Sequence, residues 1–483
     1  MAGRRWIRWR GWLLPTITLL AVALPKLGQG DFRSDTGWYS AIALQAVRTG
    51  EWWTLYADLG QPYFNKPPLA FWVHGLALRI FGVSLEAARL PTVLAALGVV
   101  LATVGVVRAA SGPRVALVAG MALALTYEFF RRTREISLDM WQLLWLMLAF
   151  WLVVIAWRRQ RWGWLAVAGV PIGLALMTKP LVGLVVLPMV AAWLVWNGWT
   201  RRLGWLALGG VTAVLIAGPW HLSMWLIHGE EFARQYFGAE IAGRVEHLVV
   251  AADTPPWWWY AKLVGSSYWP WLAFVGLGLW AWLRGRGLSR LAAGPRLAII
   301  WLVVWVVVLT VFPDKRPRYA LVLWPVLAWV AGLWLANRPW AFLRGGRWTW
   351  EAFAAAAVVV GAVVSWSPVR VQRPPNPQWG EMFEWMRAHD VDEGELWQGA
   401  FTGIRGCRVY LEFGWWPVPT RNRWGEVIAE PPVGSLLGYH ADDQLAPGAN
   451  ESVLFESGKL RVTRLGAGGW SPIPTAKPPD DGW

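Results

Sequence analysis

The stretch Tyr63–Trp72, YFNKPPLAFW, sets one ammonium, Lys66, between aromatic residues and a proline pair. Proline fixes its own φ and restricts the residue before it, so Lys66 has little backbone freedom. A cation held this way either snorkels to lipid headgroups or holds an anion. Two carboxylates occupy comparable places: Asp35 opens DTGWYSAIA, and Asp139 lies in REISLDMWQ at the start of an apolar run. Each is either a helix N-terminal charge favoured by the macrodipole or a proton acceptor. Further cations recur: Arg131, Arg132 and Arg134 ahead of Asp139, Arg244 in AGRVEH, and Lys315, Arg316 and Arg318 in PDKRPRY (313–319). Ionisable residues beside membrane spans are costly and are functional candidates for that reason. Cations that grip a phosphate, beside a carboxylate that deprotonates a hydroxyl, form the chemistry expected of a transferase using a phosphorylated lipid. His221, His228 and His247 match no metal-ligand spacing, and the lone Cys407 excludes a cysteine cluster and an intramolecular disulfide. The residues fix no cofactor; a divalent metal stays open but is not indicated by the sequence.

The elements that must position these groups are membrane spans. Of 483 residues, 56% are hydrophobic and only 16% charged, with a mean hydropathy of +0.36, where a soluble chain carries nearer a quarter charged. The apolar pattern predicts about 11 spans, at 11–28, 92–108, 115–130, 140–157, 163–178, 180–197, 203–227, 261–283, 297–312, 319–337 and 352–368. The pair around MTKPLVG (177–183) reads equally as one long broken span. The Arg-rich start is expected to precede a retained first span, not a cleaved leader.

Net charge is +15, but residues 1–369 hold 34 Lys and Arg against 15 Asp and Glu, while residues 370–483 hold 11 against 15. Orientation signals explain that excess better than a nucleic-acid groove does. With the N-terminus cytoplasmic, the short Arg-rich loops fall inside. The segments 29–90 and 228–260 then fall outside, together with Asp35, Lys66, Asp139 and Arg244. The first of these segments reads as two short interfacial helices flanking a loop, capped by Ser34 and Ser84. Residues 1–369 are expected to form the membrane domain. Residues 370–483 are expected to form an extracytoplasmic α/β domain with a helix over WGEMFEWMRAHD, a strand at CRVYLEF and a hairpin over SVLFESGKLRVTRL.

The order of SDTGWYSAIALQAVRTGEWWTLY, PYFNKPPLAFWVHGLALRIFGVSLEAARLP, REISLDMWQ, MTKPLVG, YFGAEIAGRVEH and DKRPRYALVLWP resembles the GT-C glycosyltransferases. Within them it is similar to the bacterial aminoarabinose transferases and protein O-mannosyltransferase-like enzymes. The resemblance spans roughly residues 30–335. It implies a polytopic α-helical enzyme of a prokaryotic plasma membrane that moves a sugar from a polyprenyl-phosphate carrier to a hydroxyl acceptor of the cell envelope. On that resemblance Asp35 is the catalytic base and Asp139 a second catalytic carboxylate. Lys66, Arg244, Lys315, Arg318 and Tyr319 are carrier-phosphate ligands, and Tyr39, Tyr63, Arg134, Glu240 and His247 support the site or the acceptor. Thr36 stands where relatives often carry a second acid, and Asn65 where the aminoarabinose branch often carries Glu. The rival reading is a transporter or flippase of lipid-linked sugars. It is disfavoured because the charges gather on one face and no internal repeat is visible.

Overall fold

The computed structural model describes residues 2–25, 27–29, 36–56, 62–243, 255–268, 271–285, 292–312 and 315–337. In the last part of the chain it describes Val359, 377–391, 396–398, 418–419, 433–440, 452–457 and 460–465. The predicted span 352–368 (apart from Val359) and the predicted strand CRVYLEF lie outside the described residues. In chain order the helices are α1 (Ala2–Ala23), α2 (Thr36–Thr49), α3 (Leu69–Phe81), α4 (Leu85–Ser111), α5 (Pro113–Ala124), α6 (Tyr127–Arg132), α7 (Leu138–Arg159), α8 (Trp164–Val167), α9 (Gly169–Leu176), α10 (Val186–Trp196) and α11 (Leu203–Phe232). They continue as α12 (Trp259–Ser267), α13 (Trp271–Gly285), α14 (Ala293–Val311), α15 (Trp324–Asn337) and α16 (Pro377–Ala388).

Contacts gather the chain into two units, one of Met1–Leu27, Phe64–Val73 and Arg89–Val371, the other of Gly28–Tyr63, His74–Ala88 and Gln372–Trp483. In the first unit α15 packs on α5 and α13, α1 packs on α5, and α11 packs on α8 and α9. Small residues make such contacts possible where all surfaces are apolar and only close van der Waals fit distinguishes partners. A Cβ on Gly209 of α11 would stand 2.5 Å from the Leu165 carbonyl oxygen of α8, so only glycine fits there.

Among the described residues five helical segments are long and apolar enough to cross a membrane: Leu85–Ser111, Leu138–Arg159, Thr200–Ala242, Ala293–Val311 and Pro317–Ala336. Six shorter apolar helices, Gly11–Ala23, Leu69–Phe81, Pro113–Ala124, Trp164–Leu176, Val182–Trp196 and Trp271–Trp280, accompany them.

Several boundaries differ from the sequence reading. The segment 29–90 holds a third helix, α3, whose apolar run LAFWVHGLALRIF begins directly after the proline pair. Ser84 caps as expected, its Oγ accepting the Ala87 N–H at 3.1 Å, but LEAARL is the first turn and a half of the long α4 and not a separate helix. Pro91, which the apolar window skipped over, is accommodated inside α4. The predicted single span 261–283 is two helices, α12 and α13. The predicted span 203–227 continues to Phe232 and then as a π-helix over Ala233–Ala242, inside what reads as an external loop. The MTKPLVG pair is a true break, because α9 ends at Leu176 and a 3₁₀ turn over Val182–Val185 leads into α10.

In the second unit, α16 lies with a five-stranded sheet of order β2-β1-β3-β5-β4, formed by Leu396–Gln398, Val418–Pro419, Leu436–His440, Ser452–Ser457 and Leu460–Arg464 numbered in chain order. β1 runs parallel to β2 and β3, and the β4–β5 hairpin is antiparallel. Met382, Met386, Leu396, Leu437, Leu460 and Val462 form its core.

Candidate active site

Lys66 is delivered by its neighbours. Phe64 is buried and packs edge-on against Phe232 at 5.4 Å, and the Leu69 N–H after the prolines donates to the Met177 carbonyl at 3.1 Å. Between these anchors Lys66 is buried, and its ammonium donates to the Asn65 carbonyl at 3.0 Å and to Glu240 Oε2 at 2.6 Å. Glu240 rides on the π-helix Ala233–Ala242. That segment is pinned by Tyr236, whose ring stacks on Phe232 at 5.1 Å and 13° and whose hydroxyl meets His221 Nε2 at 2.8 Å.

Asp139 is placed by the start of α7. Ser137 is the N-cap and its side chain accepts the Met140 N–H at 3.2 Å, so Asp139 falls in the first turn, where the macrodipole favours an anion. Its Oδ1 accepts from Lys179 Nζ at 2.6 Å, and its Oδ2 stands 3.8 Å from Arg318 Nε. Lys179 lies just past the end of α9. There Thr178 donates to the Leu174 carbonyl at 2.9 Å and accepts from Trp145 Nε1 at 3.1 Å. Two residues on, Leu181 holds φ 64° and ψ −41°, and the Val182 N–H closes on the Pro180 carbonyl at 2.8 Å. This is a γ-turn of the strained hand, a conformation that leucine avoids unless its surroundings impose it. Arg318 and Tyr319 sit on the 3₁₀ segment Pro317–Leu323, whose start is fixed by the Tyr260 hydroxyl, which accepts from the Arg316 N–H at 3.2 Å. The Tyr319 ring lies 5.2 Å from the Lys179 ammonium and 5.6 Å from the Arg318 guanidinium, a cation–π contact to each.

Lys66, Glu240, Asp139, Lys179, Arg318 and Tyr319 line one cavity of about 160 Å³. Trp305, Val308 and Leu309 of α14, with Phe312 beyond its end, supply an apolar wall. Three cations against two carboxylates leave one net positive charge among these described side chains, and the water-poor wall strengthens any anion's attraction to it. The arrangement can hold a singly charged anion whose other end is apolar.

Of the residues singled out from sequence, the structure therefore brings together Lys66, Asp139, Glu240, Arg318 and Tyr319. Asp35, Arg244 and His247 lie outside the described residues. Lys315 does not line this cavity; its ammonium donates to the Phe312 and Thr310 carbonyls at 2.9 and 3.3 Å, capping the C-terminal end of α14. Arg134 is buried and donates to the Val22 carbonyl at 2.6 Å, while Arg89 donates to the Leu27 carbonyl at 2.6 Å. Burial and the Arg89 charge push Arg134 down to about 10. Arg131 and Arg132 pair with Glu128 and Glu135, at 2.8 Å for Arg131–Glu128 and 2.7 Å for Arg132–Glu135. Tyr39 and Tyr63 are buried in the second unit, Tyr63 against the Trp38 ring at 6.5 Å. Lys179 is the residue that sequence reasoning missed. The Thr-Lys-Pro tripeptide was visible, but nothing in it announced that its ammonium would meet Asp139, 40 positions earlier.

The fold is of the GT-C type, and the chain is a multi-pass membrane protein. The structure superposes on ArnT from Cupriavidus metallidurans bound to undecaprenyl phosphate with a TM-score of 0.76, covering 96% of this chain and 99% of that one at 18% identity. It also superposes on the archaeal oligosaccharyltransferase AglB from Archaeoglobus fulgidus in complex with an inhibitory peptide and a dolichol-phosphate. There the TM-score is 0.56 over 89% of this chain and 62% of that one, at 16% identity. Residues 65–225 match the dolichyl-phosphate-mannose-protein mannosyltransferase family.

In sequence the chain is similar to an undecaprenyl phosphate-α-4-amino-4-deoxy-L-arabinose arabinosyl transferase of Pseudomonas fluorescens (strain Pf0-1). The two are 28% identical over 69% of this chain and 60% of that protein. The corresponding enzyme of Edwardsiella ictaluri is 28% identical over 64% and 57%. The matches thus span about 60% of the length of these relatives.

Proposed function

We propose that the chain is an inverting glycosyltransferase that moves a sugar from a polyprenyl-phosphate carrier to a hydroxyl acceptor outside the membrane. One observation carries the reading: a cavity with a net positive head, built from Lys66, Lys179 and Arg318, against the apolar wall of α14. A phosphate belongs at the head and an isoprenoid chain along the wall. The names of the relatives, which specify an undecaprenyl-phosphate-linked donor, agree with that chemistry.

In this reading the acceptor oxygen attacks the anomeric carbon as Asp35 takes its proton. The bond from that carbon to the phosphate oxygen breaks, and its electron pair leaves with the carrier phosphate. Lys66 and Arg244 meet the developing charge, with Arg318 and Tyr319 beside them, and each well-placed donor contributes about 3 kcal/mol to transition-state stabilisation. Asp139, already engaged by Lys179 and close to Arg318, orients those cations and is a poor proton acceptor by comparison. The remaining parts follow the same reading: about 11 spans within residues 1–369, a cytoplasmic N-terminus and an extracytoplasmic domain over residues 370–483.

The test uses proteoliposomes and a radiolabelled polyprenyl-phosphate sugar. Asp35→Asn is expected to abolish transfer while carrier binding persists; wild-type transfer would remove Asp35 as the base. Lys66→Ala is expected to weaken carrier binding, and unchanged affinity would return Lys66 to a headgroup-facing charge.

A further inference from the structure

Lys66 and Glu240 are separated by 174 positions in sequence, yet they form an ion pair of 2.6 Å with side chains only 9% and 12% exposed. If Lys66 is to grip a phosphate, that phosphate must compete with a carboxylate already seated on the same ammonium. Glu240 is mounted on an element suited to yielding. It lies near the end of the π-helix Ala233–Ala242, a helix type rare beyond a single turn and common at functional sites. The helix leading into it is interrupted at Gly229, with φ 51° and ψ −123°. The anchor sits one turn earlier. His221 Nδ1–H donates to the Ala217 carbonyl at 2.8 Å, leaving Nε2 to accept from the Tyr236 hydroxyl. Between Tyr236 and Glu240 the three residues 237–239 are exposed, Phe237 at 45%, so little packing holds the stretch that joins the anchor to the carboxylate. The segment can therefore stay docked through Tyr236 while the Glu240 carboxylate moves.

The charge balance of the reaction says when this matters. The sugar-bearing carrier is a phosphodiester with one negative charge. After transfer the departing carrier is a monoester, which holds roughly −1.5 to −2 at neutral pH, like other phosphomonoesters. The same cations therefore hold the product more tightly than the donor, and release becomes the slow step. From this, and resting on the transferase reading above, we propose that Glu240 is a positioning residue for product release, an internal anion that exchanges with the carrier phosphate on Lys66. With donor bound, the diester competes with Glu240; after transfer, the return of Glu240 to Lys66 offsets the extra charge that would hold the monoester in place.

The experiment measures binding of two probes to the full-length protein in nanodiscs: undecaprenyl phosphate, and undecaprenyl methyl phosphate as a diester of the donor's charge. Glu240→Gln is expected to tighten the monoester by about tenfold and the diester by about threefold, since the more highly charged ligand gains more from losing a competing anion. Glu240→Asp, which keeps the charge, is expected to restore the wild-type ratio of the two affinities. Glu240→Gln is expected to lower the steady-state rate of transfer more than the single-turnover rate, and undecaprenyl phosphate should inhibit it more strongly. Equal changes for both probes, no change in either, or a loss of binding shared by Glu240→Gln and Glu240→Asp would each overturn the proposal. Lys66→Ala separates the two levels. It should weaken both probes and erase the effect of Glu240→Gln, whereas wild-type protein that binds neither probe would remove the transferase reading itself.

Discussion

Asp139 and Lys179 illustrate how little a single buried charge means without its partner. Their ion pair of 2.6 Å is only partly exposed, with Arg318 at 3.8 Å on the other carboxylate oxygen. Removing one member strands the other in an apolar pocket, so Asp139→Asn is expected to cost about 2 to 3 kcal/mol of stability, below the range for fully buried pairs. Replacing both by Asn and Met should recover part of that loss, leaving a coupling of about 1 to 2 kcal/mol in a double-mutant cycle read by thermal unfolding in detergent. Additivity would mean that the two charges are held independently. Lys315 gives the opposite lesson. It reads from sequence as one more phosphate ligand in DKRPR, but its ammonium is spent on the Phe312 and Thr310 carbonyls. Lys315→Ala is therefore expected to fray the end of α14, costing about 0.5 to 1 kcal/mol, while changing carrier affinity less than Lys66→Ala does.

At the scale of elements, the cavity is assembled from helix ends: the start of α7, the end of α9, the π-helical extension of α11 and the 3₁₀ entry to α15. Irregular backbone is tolerated where it lines a cavity, and Leu181 is the clearest case. Its φ of 64° is forced by the γ-turn joining Lys179 to the next helix. Leu181→Val adds a β-branch at positive φ and should destabilise by about 1 to 3 kcal/mol, whereas Leu181→Gly should be no less stable than wild type. Thermal midpoints in the order Gly, Leu, Val check this, and the reverse order would mean that the Leu181 side chain's packing outweighs the turn. Gly209→Val is a second test of element packing. Its side chain would meet the Leu165 carbonyl and force α11 from α8, so the yield of folded protein should fall sharply.

For the whole molecule, the asymmetry of charge carries the topology. In the proposed topology the arginine-rich loops with few acids face the cytoplasm and the acidic candidates collect on the other side. Alkaline phosphatase, active only outside the cytoplasm, is expected to be active when fused after residue 380 and inactive when fused in the loop around Arg201 and Arg202. The opposite pattern would invert the site's exposure and remove the external acceptor from the proposal.

Several features were legible in the chain before any coordinates. Hydropathy alone marked a polytopic helical protein, because every span must satisfy its own backbone in lipid and so must be long, apolar and helical. The Lys-Pro-Pro element, the Ser84 cap and the helix-start position of Asp139 were visible as local chemistry, since caps and prolines act on their immediate neighbours. What could not be read was pairing across the sequence. Nothing local told that Glu240 would close on Lys66, that Lys179 would meet Asp139, or that Lys315 would turn back on α14. Those choices belong to the tertiary structure, because an ammonium on a flexible stem takes whichever acceptor the packing of the helices brings within reach.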